Sequence, residues 1–296
     1  MIKNTRHILI LVSIMLILGF TAPKTVQAFT WPRGTDLTAK LQVIRQELSN
    51  IATLIAAQRS QKPMTAAGYI AVDLSNGSIL AQKNSVQTYP VASTAKLMSA
   101  LIATEDIDPD KTITLTDEML LPYGNSPAVY PGLEISASDL MRAALTQSVN
   151  DAAESLAYFT GKEKFPGLMN KKAKELAMTG TTFIDPHGLD PKNRSNAADM
   201  AKLLGYIYKK QPEILETTKD DNFWLPDAEG KMLKFINLNE FYGFPEFIGG
   251  KSGYLVEAGQ TFAGVFTINK KPTAIVLLHA TDYRADTFRI IEQISK

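Results

Sequence analysis

Hydrophobic and polar residues follow different periods in different parts of this chain, and each period predicts a different element. From Ile8 to Phe20 the run is apolar almost throughout, with Lys3, Arg6 and His7 ahead of it and Val26-Gln27-Ala28 behind. Its thirteen residues fall short of the ~20 that span a bilayer, so residues 1–28 read as a signal peptide cleaved after Ala28, with an uncleaved anchor as the alternative. Farther on, Leu37, Leu41, Ile44, Leu48, Ile51 and Ile55 recur at alternating steps of four and three. That spacing predicts a helix with one apolar seam, begun by Thr35 or Asp36 and closed by Lys62-Pro63. The seam either pairs chains as a short coiled coil or packs on its own domain, and fewer than three heptads leave both open.

Beyond Met64 the pattern changes to short strands and longer helices. Gly68–Leu74 and Ser78–Ala81 flank Asn76-Gly77, a hairpin signal. Thr261–Ile268 and Thr273–His279 flank Asn269-Lys270-Lys271-Pro272 and predict a second hairpin at the far end. Helical spacing occupies the run after Ser93, then 138–146, 150–158, 165–177 and 196–208. Strands first and last with helices between them predict an α/β (α+β) fold: one antiparallel sheet from both chain ends plus a helical lobe. A cleft between sheet and lobe is where a site belongs. The organisation expected is signal peptide 1–28, helical extension 29–63 and catalytic domain 64–296.

Composition narrows the chemistry. With 45% apolar and 21% charged residues, the 296-residue chain can bury a full core. Without residues 1–28 it loses Lys3, Arg6 and Lys24 and no acid, leaving 28 basic against 30 acidic side chains and no footprint for nucleic acid. No cysteine is present, which excludes disulfides, zinc thiolates, a thiol nucleophile and a lipidated N-terminal cysteine. His187 and His279 are the histidines left after cleavage; they lack metal-ligand spacing and a nucleophile context, so neither a metalloenzyme nor a Ser-His-Asp hydrolase is expected, and no cofactor.

Three strings supply a different chemistry: Ser93-Thr94-Ala95-Lys96, Ser148-Val149-Asn150 and Lys251-Ser252-Gly253, at intervals of 55 and 103 residues. Alone, each has a plainer reading as a capping serine, a capping asparagine or a Gly-rich turn. Together they form the parts of a serine acyl-transfer enzyme with lysine as base. Residues three apart on a helix are neighbours, so the Lys96 amine reaches the Ser93 hydroxyl, and the helix N-terminus favours a developing alkoxide. Lys251 brings a second cation, which keeps Lys96 partly deprotonated and, with Ser252, receives a substrate carboxylate. Ser148 can relay a proton, and the Asn150 amide offers donor and acceptor to a peptide group. Gly249, Gly250 and Gly253 let an extended substrate approach an edge strand ending at Tyr254.

These strings resemble the penicillin-binding-protein and serine β-lactamase superfamily, and within it the D-alanyl-D-alanine carboxypeptidases. The narrower resemblance rests on 89–101, 148–157, 169–176, 183–190 and 195–201, and covers about 64–296. It implies a penicillin-binding fold and a periplasmic or extracellular enzyme that acts on peptidoglycan stem peptides through an acyl-serine intermediate and is inhibited by β-lactams. By the same resemblance Ser93 is the nucleophile, Lys96 its base and Ser148 the relay. Asn150, Lys251, Ser252, Gly253 and Tyr254 bind substrate, with the Ser93 and Tyr254 backbone N–H groups as oxyanion hole.

Three departures from the family pattern stand out. Ser252 replaces the usual threonine, Val149 stands where small residues are common and is expected to narrow the cleft, and only 45 residues follow Lys251. The last implies that the β-rich C-terminal domain and amphipathic anchor of the common carboxypeptidases are missing. Compactness and the short first interval fit a D,D-endopeptidase as the alternative activity. A class A β-lactamase is disfavoured because Ile184–Gly188 has no glutamate to hold a hydrolytic water, and a wall-binding domain because it has no need of a nucleophile-base pair.

Overall fold

The computed structural model describes residues 63–120 and 126–296. The signal peptide, the seam at 37–55 and the self-association expected of it lie outside the described residues.

A five-stranded antiparallel sheet organises the domain. Its strands are β1 (Gly68–Asp73), β2 (Ile79–Lys83), β3 (Phe247–Leu255), β4 (Gly259–Ile268) and β5 (Lys271–Ala280), in the order β2-β1-β5-β4-β3. Both chain ends therefore contribute, as the paired hairpins predict. The β4–β5 turn is tighter than expected: Asn269 and Lys270 both take left-handed φ (51° and 62°), a two-residue hairpin turn, so Lys271 and Pro272 already belong to β5.

Among the described residues the α-helices are, in chain order, α1 (Lys96–Asp106), α2 (Ala137–Thr146), α3 (Asn150–Tyr158), α4 (Phe165–Glu175), α5 (Ala197–Lys210), α6 (Pro212–Thr217) and α7 (Tyr283–Ser295). The side chains of Ser136, Asn196 and Asp282 accept hydrogen bonds from the N–H groups of Asp139, Asp199 and Ala285, and so start α2, α5 and α7. The first eight residues of α1 are all buried, as befits a helix at the centre of the fold.

Both faces of the sheet are covered. Ile70, Ala263, Val265, Ala274, Val276 and Leu278 join one core with α1 and α5. Ala71, Phe262, Phe266, Ile275 and Leu277 join a second with Phe241, Tyr283 and Ile290. Alternate residues of β5 thus enter different cores, which explains its unbroken apolar run. A third core, with Leu140, Ala143, Leu156, Phe223 and Phe235, fills the helical lobe.

Val149 belongs to this lobe core at 2% exposure. The expectation that it narrows the cleft is therefore corrected: its side chain serves helix packing, between the half-buried Ser148 and the buried Asn150.

Candidate active site

The chain enters α1 through a strained turn. Ala92, just before Ser93, is held at φ 48°, a conformation costly for a residue with a Cβ. The turn persists because its surroundings fix it: Val91 donates to the Asn193 carbonyl at 3.0 Å, and the Val91 carbonyl accepts from the hydroxyls of Thr94 (2.6 Å) and Thr261 (3.0 Å). Residues Ala92–Ala95 form a 3₁₀ turn that runs directly into α1. No side-chain cap bond forms there, so Ser93 is not a capping serine.

Lys96, the first residue of α1, is 1% exposed, and its Nζ lies 3.0 Å from Ser93 Oγ. It also donates to Asn150 Oδ1 and to the His187 carbonyl, each at 2.7 Å. Burial, then the Lys251 charge, push its pKa well below the ordinary lysine value, with Asp185 opposing. A neutral amine has two N–H donors and one lone pair. The two carbonyl oxygens take both donors, which leaves the lone pair for the Ser93 hydroxyl proton.

The second string is a short link between α2 and α3. Ser148 is half-buried at φ 62°, and Val149, not Asn150, is the N-cap of α3. Asn150 is the first helical residue and uses its side-chain oxygen on Lys96, so the capping-asparagine reading is set aside.

The third string lies on β3, an edge strand of the sheet. Lys251 is 4% exposed, its Nζ donates to the Ser252 carbonyl at 2.9 Å, and burial lowers its pKa to about 7. Two residues on, Gly253 faces the nucleophile turn: a Cβ there would stand 2.6 Å from the Ser93 nitrogen and 3.0 Å from Ala92 Cβ. Only glycine leaves open the space beside that N–H. Ser252, between them, points to the other side of the strand and shares a hydrogen bond with the buried Tyr283 hydroxyl. Tyr254 is 66% exposed.

The structure thus gathers Ser93, Lys96 and Asn150 into one hydrogen-bonded cluster, sets Lys251 within electrostatic reach of Lys96, and lays Gly253 over the Ser93 nitrogen. Ser148 lies two residues ahead of Asn150, in the link between α2 and α3.

Supporting residues without an assigned role in the strings complete it. His187 supplies a carbonyl to Lys96, and the Asp185 carboxylate holds that loop by accepting from the N–H groups of His187 (3.0 Å) and Asp190 (2.8 Å) and from Asn193 Nδ2 (2.8 Å). Gly188, at φ 85°, presses on the nucleophile turn; a Cβ would come 2.0 Å from the Ala92 carbonyl oxygen. Asn239 Nδ2 donates to the Gly250 carbonyl and Thr218 Oγ1 accepts from the Gly250 N–H, both at 2.8 Å, steadying β3. Glu154 and Asp185 flank the His187 ring, and both are engaged, Glu154 with Lys162 at 2.8 Å. Among the described residues no three His, Asp or Glu side chains converge as metal ligands would.

Comparison with known proteins fits this arrangement. Residues 55–282 match the peptidase S11 family, D-alanyl-D-alanine carboxypeptidase. The D-alanyl-D-alanine carboxypeptidase DacB2 of Mycobacterium tuberculosis is 30% identical over 71% of this chain and 74% of its own. A D-alanyl-D-alanine endopeptidase of Escherichia coli is 32% identical over 78% of this chain and 76% of its own. The crystal structure of penicillin-binding protein D2 from Listeria monocytogenes, in its cefotaxime-bound form, superposes with a TM-score of 0.70 at 29% identity, covering 80% of this chain and 99% of that one. By its matched span and the relatives that share it, this chain belongs to the D-alanyl-D-alanine carboxypeptidase family of serine peptidases.

Proposed function

We propose that this chain is a serine-type D-Ala-D-Ala carboxypeptidase that trims peptidoglycan stem peptides through an acyl-serine intermediate. The observation that carries the reading is the buried, pKa-lowered Lys96 amine 3.0 Å from Ser93 Oγ, with both its N–H donors already taken by carbonyl oxygens.

In the acylation step the Ser93 proton passes to Lys96 as Oγ bonds the carbonyl carbon of the penultimate D-alanine. The oxyanion lies against the N–H groups of Ser93 and Tyr254, in the room Gly253 leaves. Lys251 holds the terminal carboxylate, Ser252 being turned to the other side of the strand against Tyr283, and Asn150 orients both the substrate amide and Lys96. As the C–N bond breaks, the proton on Lys96 moves through Ser148 to the leaving amine, and D-alanine departs. Water then attacks the ester, giving a proton to Lys96, and as the ester C–O bond breaks Lys96 passes that proton to Ser93 Oγ. β-Lactams carry a strained amide and a carboxylate in matching places and acylate the same oxygen; with Asp185 and Glu154 both engaged, hydrolysis of that adduct is slow.

Residues 64–296 form the catalytic domain in this reading, exported by the signal peptide at 1–28 and preceded by the helical extension at 29–63. Among the described residues no helix is long and apolar enough to cross a membrane. The E. coli relative named an endopeptidase favours crosslink cutting as the second reading. Digestion of a monomeric pentapeptide muropeptide and a D,D-crosslinked dimer, with products resolved by mass, separates the two. Loss of one D-alanine from the monomer is expected; conversion of dimer to monomers without that loss would replace carboxypeptidase by endopeptidase.

A further inference from the structure

The segment Ile236–Asn239, which leaves the hairpin strand Met232–Phe235, lies outside all three strings, yet it is bonded to the residue just ahead of two of them. On the lobe side the Ile236 N–H donates to Gln147 Oε1 at 3.2 Å and the Leu238 N–H to the Thr146 carbonyl at 3.0 Å. On the sheet side Asn239 Nδ2 donates to the Gly250 carbonyl at 2.8 Å, one residue before Lys251. Between these two feet the buried Asn237 is fixed in place. Its Nδ2 donates to the carbonyls of Thr218 (2.9 Å) and Asp220 (2.7 Å), and its Oδ1 accepts from the Asn239 N–H (2.8 Å). The segment is thus a strut between the second string and the third.

Gln147 is where the strut meets the second string. It is the C-cap of α2 and half-buried, and its side chain has two engagements: Oε1 accepts from Ile236, and Nε2 donates to Ser126 Oγ at 3.4 Å. Ser148 follows directly, at a φ of 62° that is costly for a residue with a Cβ and persists only where its neighbours hold it. The backbone supplies one acceptor for this purpose, the Ala143 carbonyl, which takes the N–H groups of both Gln147 (3.2 Å) and Val149 (3.3 Å). Side chains supply the rest. Val149 is packed in the lobe core and Asn150 is bonded to Lys96, which fixes the link downstream of Ser148; Gln147 fixes it upstream. Held at both ends, the left-handed residue keeps its side chain aimed in one direction.

We infer that Gln147, backed by the strut, is a positioning residue for proton delivery to the leaving group, holding the Ser148 hydroxyl in line between Lys96 and the departing amine. The inference rests on Ser148 being the relay, as proposed above. When the C–N bond breaks, nitrogen keeps the bonding electron pair and takes the proton that left Ser93 Oγ, by way of Lys96 and Ser148. A thioester needs no such delivery, because its sulfur leaves with the electron pair as a stable thiolate. The effect of Gln147 is therefore confined to donors whose leaving atom is nitrogen.

The test measures kcat/KM, which covers the steps through acylation, for two donors with the same acyl group in the full chain. One ends in D-Ala-D-Ala; in the other, sulfur replaces the nitrogen of the last residue, giving a thiolactate thioester that keeps the carboxylate for Lys251. Gln147→Met preserves side-chain length and removes both hydrogen bonds. Gln147→Glu still accepts from Ile236 and can accept from the Ser126 hydroxyl, and Ser148→Ala sets the full size of the effect. Gln147→Met is expected to lose about tenfold or more on the peptide and under about threefold on the thioester, with Gln147→Glu within about threefold of the parent on both. Equal losses on the two donors in Gln147→Met would show general distortion of the centre, and no loss would show an idle side chain; either overturns the assignment. Equal losses in Ser148→Ala would overturn the relay and this inference with it. A parent chain that turns over the thioester but not the peptide would overturn the peptidase reading itself.

Discussion

Two buried lysines with opposite duties govern the site at the scale of single residues. In the proposed mechanism Lys96 must be neutral to take the Ser93 proton, whereas Lys251 must be charged to hold a carboxylate. Burial depresses both, Lys251 to about 7. The second-order rate of acylation by benzylpenicillin is therefore expected to fall toward acid as Lys96 gains a proton, and toward alkali through about pH 7 as Lys251 loses one. Because the Lys251 charge helps to depress Lys96, Lys251→Gln should remove the alkaline limb and shift the acid limb to higher pH. A stopped-flow pH profile in which the acid limb stays put in that variant would show that the two amines do not communicate.

The meeting of Ser93 with Lys96 is legible in the sequence, since a spacing of three on helical turns permits little else. The His187 carbonyl is not. Any residue type carries a carbonyl, so side-chain chemistry gives no signal for a backbone acceptor that a loop folds onto the lysine.

Among the elements, α1 to α5 and both hairpins follow from periodicity and capping residues, while α7 does not. Its apolar side, Tyr283, Ile290, Ile291 and Ile294, packs on the second core but is interrupted by the buried polar residues Asp286, Thr287 and Arg289, which dilutes the apolar stripe. Its polar face has a structural use. The Asp286 carboxylate accepts from the Thr65 N–H (3.0 Å), the Thr65 hydroxyl (2.7 Å) and the Ala66 N–H (2.7 Å), and it pairs with Arg289. This joint fastens the start of the domain to its end. Asp286→Asn should lower unfolding stability by about 3 kcal/mol, read from urea denaturation, because it leaves buried donors and a buried cation poorly matched. The acylation rate of the folded fraction should not change; a variant as stable as the parent would mean the joint is dispensable. The hairpin of Phe223–Pro226 and Met232–Phe235 also escapes prediction, its strands being four residues each and one ending in proline.

For the whole molecule, the architecture is economical in what it asks of the sequence. The first and last hairpins form the sheet, and the intervening helices bring two of the three strings to the remaining strand. Sheet-plus-lobe topology is therefore readable from element order, but the distribution of β5 side chains between two cores is not, because a strand buried on both faces shows no alternation. The cleft geometry depends on loops such as the one around Asp185, whose path is set by backbone hydrogen bonds to a carboxylate.

The whole proposal depends on Ser93, activated by Lys96, forming the covalent intermediate. Intact-mass and peptide mapping after exposure to benzylpenicillin test it most directly, with Ser93→Ala alongside. One penicilloyl adduct is expected on the peptide containing Ser93, persisting after the free drug is removed and lacking in the variant. No adduct on the parent chain, or the same adduct on Ser93→Ala, would contradict it.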